Sequence, residues 1–155
     1  LLIVIAIIGI TLGYVGPKLY GGFSTSGMDK ATRDITAMLQ YARSQAVTQH
    51  EDYLVRFDLA EAELGVYAKP KTSGLTPEML KVRKLPDGIR IKSIKSPYQP
   101  TRQEGLVELA VTADGLVEQG VIYLENSLGT VFTLEVKPFS GYLRVEDHYV
   151  EKIFG

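Results

Sequence analysis

Along residues 1–15, LLIVIAIIGITLGYV, apolar positions follow one another with no charge between them. An amphipathic helix would return to polar residues every third or fourth position, and this run does not. A helix hydrophobic all round belongs in lipid or in a deep core. Fifteen residues at ~1.5 Å each reach roughly 23 Å, short of the ~30 Å hydrocarbon layer. With Leu rather than Met at position 1, the run is expected to continue upstream of the sequence given and so complete a span. Met28, Ala31, Ile35, Met38, Leu39, Ala42 and Ala46 then recur at three- and four-residue spacing, predicting a helix over 28–50 with one apolar stripe. Ser26 is its expected N-cap, and Asp29 and Asp34 suit the positive end of its dipole. Beyond His50 the period becomes two. Strands are predicted over 53–59, 64–68, 80–85, 89–95, 106–111, 121–124, 130–136 and 142–146, and 96–105 is predicted to be a surface loop.

This order of elements predicts an α+β fold, a long N-terminal helix packed on an antiparallel β-sheet head. The division expected is 1–27, an apolar membrane or filament helix with a kinked linker, and 28–155, the head, with its helix over 28–50 and its strands within 53–148. Ile35, Met38, Leu39, Ala42 and Ala46 are expected to seat the helix on the sheet. Strands 53–59 and 64–68 should form one hairpin. Strands 80–85 and 89–95 should form another, about the turn signal Pro86-Asp87-Gly88.

The absence of cysteine excludes disulfides, zinc-thiolate sites and thiol catalysis. Two histidines, His50 and His148, leave little for a metal site or a Ser-His-Asp triad. Glu51-Asp52, Glu61 with Glu63, and Glu146-Asp147 fall at a helix end, in a turn and near a strand end, where solvated charge is the expectation. Asp114 and Glu118 flank Gly115 but fall short of a calcium shell. No phosphate-binding or nucleophile motif is present. Neither a catalytic residue, a metal site nor a cofactor is expected, and the chain does not read as an enzyme.

Charge is unevenly placed. Between Lys69 and Arg102 stand nine Lys and Arg against Glu78 and Asp87, a net of +7, while the remainder carries −8. In the expected second hairpin, Lys81, Arg83, Arg90 and Lys92 would share one outward face, with Leu80, Val82, Ile89 and Ile91 turned inward. That face is a candidate docking patch for an acidic partner or neighbouring subunit. No aromatic residue interleaves it, so nucleic acid is not expected as the partner.

Taken together, the apolar helix interrupted by Gly9, Gly13 and Pro17, the amphipathic extension and the β head resemble a type IV pilin or pseudopilin. LLIVIAIIGI resembles the segment that follows the prepilin peptidase site, and Pro17 falls where pilins commonly carry a helix-kinking proline. QYARSQAVTQHEDYLVRFDL and TADGLVEQGVIYLENSLGTVFTLEVKPFSGYLRV resemble the helix-to-strand passage and the glycine-punctuated strands of the GspH/FimT family. The resemblance implies a structural minor pseudopilin of a type II secretion pseudopilus, or alternatively a FimT/FimU-like minor type IV pilin serving pilus initiation or DNA uptake. It implies an inner-membrane anchor with Leu1, Ile5, Ile8, Gly9, Leu12, Gly13 and Pro17 in the membrane and filament helix, and a periplasmic head. Implied partners are major and minor pseudopilins, the inner-membrane assembly platform and inner-membrane lipid. Prepilin peptidase would act on the precursor. The family's cleavage-site Gly, its methylated N-terminal residue and its nearby Glu match no position here.

Overall fold

The computed structural model describes residues 1–154, with the side chains of 1–4 and 26–154. Among the described residues one helix, α1 (Leu2–Gln49), precedes nine strands: β1 (Tyr53–Asp58), β2 (Glu63–Ala68), β3 (Glu78–Lys84), β4 (Ile89–Ser96), β5 (Gln99–Arg102), β6 (Leu106–Val111), β7 (Gly120–Asn126), β8 (Val131–Val136) and β9 (Leu143–Glu146). Ser26, expected as an N-cap, lies inside α1. Extending a helix costs less than nucleating a second one. Thr32 and Thr36, weak helix formers, donate their hydroxyls back to the carbonyls of Met28 and Thr32. The helix ends at His50, which takes a left-handed conformation and donates its N–H to the Ala46 carbonyl. Ile5, Ile8, Gly9, Leu12, Gly13 and Pro17 lie outside the residues whose side chains are described.

The strands form two antiparallel sheets, ordered β3-β2-β1-β6 and β5-β4-β7-β8-β9. In the first sheet Val55, Leu64, Val66, Leu109 and their neighbours turn one way. In the second, Ile91, Ile94, Ile122, Leu124 and Leu134 turn to meet them, and α1 contributes its stripe to the same core. The helix packs chiefly on β1 and β2. The first hairpin turns without glycine because Asp58 accepts hydrogen bonds from the N–H groups of Ala60 and Glu61 while Ala62 takes a positive φ.

Two further sequence expectations are overturned here. The stretch 96–105 is not wholly loop: it contains β5, whose Pro100 is tolerated because the strand lies at a sheet edge. The second hairpin does not form, since β3 pairs with β2 and β4 pairs with β5 and β7. Leu85 N–H is tied to the Ala62 carbonyl, and Ile89 N–H to that of Pro86, so the Pro-Asp-Gly turn carries the chain from one sheet to the other. A hairpin would have brought Lys81, Arg83 and Lys84 alongside Arg90, Lys92 and Lys95, and like charges across neighbouring strands destabilise the pair.

Candidate interaction surface

The helix seat is fully enclosed. Ile35, Leu39, Ala42 and Ala46 expose nothing and Met38 almost nothing. At its upper end Gly115 closes the approach of the loop after β6. Its φ is +81°, and a Cβ there would stand 2.8 Å from Cγ2 of Val47, so only glycine fits without displacement. Arg43 donates to the Gly115 carbonyl at 2.9 Å and Gln40 to that of Ser140 at 2.9 Å, fastening loops of both sheets to the helix.

The four candidate docking residues are divided between the sheets. Lys81 and Arg83 are register partners of Val66 and Leu64, whose side chains face the helix, so these two cations turn toward α1. Lys81 Nζ lies 4.8 Å from the centre of the Tyr41 ring, and Arg83 donates to Asp34 at 2.5 Å. Leu80 and Val82, expected inside, are exposed instead. β3 is an edge strand exposed along its whole length, and Lys81 and Arg83, not Leu80 and Val82, are the residues that reach the helix. On the second sheet, Arg90 and Lys92 both bond Glu125, a largely buried carboxylate. The hydrogen bond from Arg90, reinforced by Lys92, holds the Glu125 carboxyl below the usual carboxylate range against the opposing effect of burial. The expected single basic face of the hairpin is therefore absent: these cations are engaged within the fold.

The acidic residues have equally local occupations. Glu51 bonds Lys71 at 2.6 Å, and Asp52 accepts the Ala113 N–H at 3.0 Å. Glu118 joins the sheets, accepting from the Ser96 hydroxyl at 2.7 Å and from the Ala110 N–H at 3.0 Å. Asp147 lies 3.1 Å from His148. Among the described residues no group of three or more His, Asp or Glu side chains is placed to hold a metal.

What sequence reasoning missed is an exposed apolar cluster. Tyr98, Leu116 and Phe139 line an open groove of about 390 Å³ beside Glu118 and Gln119, and Phe139 and Tyr98 are 81% and 77% exposed. The available signal was an aromatic residue next to proline in each of two turns, Pro97-Tyr98 and Pro138-Phe139. At the other end of the molecule Leu1, Leu2, Ile3 and Val4 are exposed. Among the described residues no helix is long and apolar enough to cross a membrane.

No protein-family model and no curated protein matches the sequence. Solved structures do. The minor pseudopilin EpsH of the Vibrio cholerae type 2 secretion system is 15% identical, covering 76% of this chain and 97% of its own, with a TM-score of 0.55. Escherichia coli GspH is 17% identical over 78% of this chain and 88% of its own, with a TM-score of 0.60. The Pseudomonas aeruginosa type IV minor pilin FimU is 21% identical over 76% of this chain and 87% of its own, with a TM-score of 0.54. Each likeness is one of fold. This chain shares the fold of these solved structures, two minor pseudopilins and a type IV minor pilin.

Proposed function

We propose that the chain is a structural minor pseudopilin of a type II secretion pseudopilus. The observation that carries this reading is the head's match to EpsH and GspH, which extends over most of their own lengths. On this reading the mechanism is assembly. The run 1–15 holds the subunit in the inner membrane and then packs among like helices in the filament, where Gly9 and Gly13 allow close approach. The head stands in the periplasm and selects neighbouring pseudopilins, while the assembly platform supplies the subunit from the membrane. Exposed apolar residues at the start of α1 and in the Tyr98–Phe139 groove suit contacts that are completed only in an assembly.

A FimU-like role in a type IV pilus is the second reading, favoured by the higher identity to FimU. Deleting the gene separates the two. Loss of secreted proteins from the medium with pili intact supports the pseudopilin, and loss of pili with secretion intact supports the pilin. A strain unchanged in both respects refutes the proposal.

A further inference from the structure

After β9 the chain does not leave the head. Residues 147–154 run back across the outer face of the second sheet, and the sheet holds them chiefly by their main chain. Thr133 Oγ1 donates to the His148 carbonyl at 2.8 Å and accepts the Val150 N–H at 2.9 Å. The Tyr123 hydroxyl donates to the Val150 carbonyl at 3.0 Å and accepts the Lys152 N–H at 3.4 Å. Each hydroxyl thus acts as donor and acceptor at once. The residues held, 148, 150 and 152, alternate along the segment, as they must if an extended chain presents one side to the sheet.

Charge fixes the direction of the strap. Lys95 on the sheet meets Glu151 at 3.5 Å, and Glu135 meets Lys152 at 3.4 Å. Tyr149 lies against Tyr123 with ring centres 5.1 Å apart. Two of the strap's apolar side chains stay largely in solvent: Ile153 is 88% and Tyr149 52% exposed. Beneath the strap, Val121, Tyr123 and Thr133 have no exposed surface.

We propose that this face is a binding site for an extended peptide, filled here by the chain's own strap and able to take the strap of a second copy in exchange. Recognition through main-chain atoms and two ordered ion pairs is satisfied equally by the identical segment of a neighbour. The tethered strap competes at the high effective concentration of an intramolecular ligand, so exchange is visible once that strap is weakened.

The test uses the full chain in detergent and a fluorescently labelled peptide with the sequence of residues 147–154. Val150→Pro in the chain removes the N–H given to Thr133 and leaves the sheet intact. The Val150→Pro chain should bind the peptide at least tenfold more tightly than the parent, by fluorescence anisotropy. Adding Thr133→Val should abolish the gain. If the Val150→Pro chain keeps native amide protection in β7 but binds no more tightly, the proposal fails. Loss of that protection also overturns it, since the strap is then an inseparable part of the fold. So does binding that Thr133→Val leaves unchanged, because the peptide then lies elsewhere.

Discussion

Replacing Ile35 by alanine removes three carbons from a side chain with no exposed surface, at the centre of the helix seat. At ~0.8 kcal/mol per buried carbon the transfer cost alone is about 2.4 kcal/mol. A cavity adds to this, because α1 is fastened on both flanks, by Arg83 to Asp34 and by Arg43 to Gly115, and has little freedom to settle inward. Alanine returns a few tenths of a kcal/mol in helix propensity. The expected net loss is about 3 kcal/mol, or roughly 6–12 °C in melting temperature for a chain of this size. Urea unfolding followed by far-ultraviolet circular dichroism measures it, with Arg33→Ala on the exposed side of the same helix as a control that should stay within about 0.5 kcal/mol. A loss at Ile35 below about 1 kcal/mol, or no larger than at Arg33, would refute the packing of α1 on the sheets.

Arg83→Ala leaves the buried Asp34 carboxylate without its guanidinium and should cost about 1–3 kcal/mol in the same assay; a neutral result would mean the pair contributes nothing. Gly115→Ala should cost about 1–2 kcal/mol for the left-handed backbone alone, with more from the collision with Val47, and unchanged stability would contradict that geometry. Because Arg90 and Lys92 lower the folded-state pKa of Glu125 below its unfolded value, its contribution is complete above the ordinary carboxylate range and lost as pH falls through the lowered value. The melting-temperature difference between parent and Glu125→Gln should therefore shrink below about pH 4, and a difference constant from neutral pH downward would exclude the linkage. Ile7→Asp, in the protein expressed from its own gene, places a charge costing ~2.5–3.5 kcal/mol in the proposed membrane helix, so its recovery from the soluble fraction is expected and full membrane retention counts against anchoring.

The helix stripe and most strands were legible because each depends on local periodicity. Seven apolar positions from Met28 to Ala46 at helical spacing admit one buried face, and these are the residues that α1 encloses. Strand pairing is a different kind of information. Nothing in 80–85 or 89–95 states which sheet each joins, and the strong turn between them suggests a hairpin by proximity alone. Tyr123 and Thr133 were illegible for a related reason. Polar-tipped residues on the outward side of a strand normally meet water, and only the return of the strap, which has no periodic signal, puts them in a dry interface.

Charge illustrates the same gap between one dimension and three. The +7 segment suggested a surface awaiting an acidic partner, but its counter-charges were elsewhere in the chain. Lys69 finds Asp52, Lys71 finds Glu51, Arg83 finds Asp34, Arg90 and Lys92 share Glu125, and Lys95 finds Glu151. Every one of those acids lies outside 69–102. The exposed pairs among them, Lys69–Asp52, Lys71–Glu51 and Lys95–Glu151, add little stability individually. The larger effect of the pairs is on choice. Placed beside β3, Arg90 would face cations; placed beside β7, it stands opposite Glu125 in the ladder. Segregating the two signs along the chain penalises the local hairpin and favours the long-range pairing, so the pattern that resembled a docking signal acts first on how the head assembles itself.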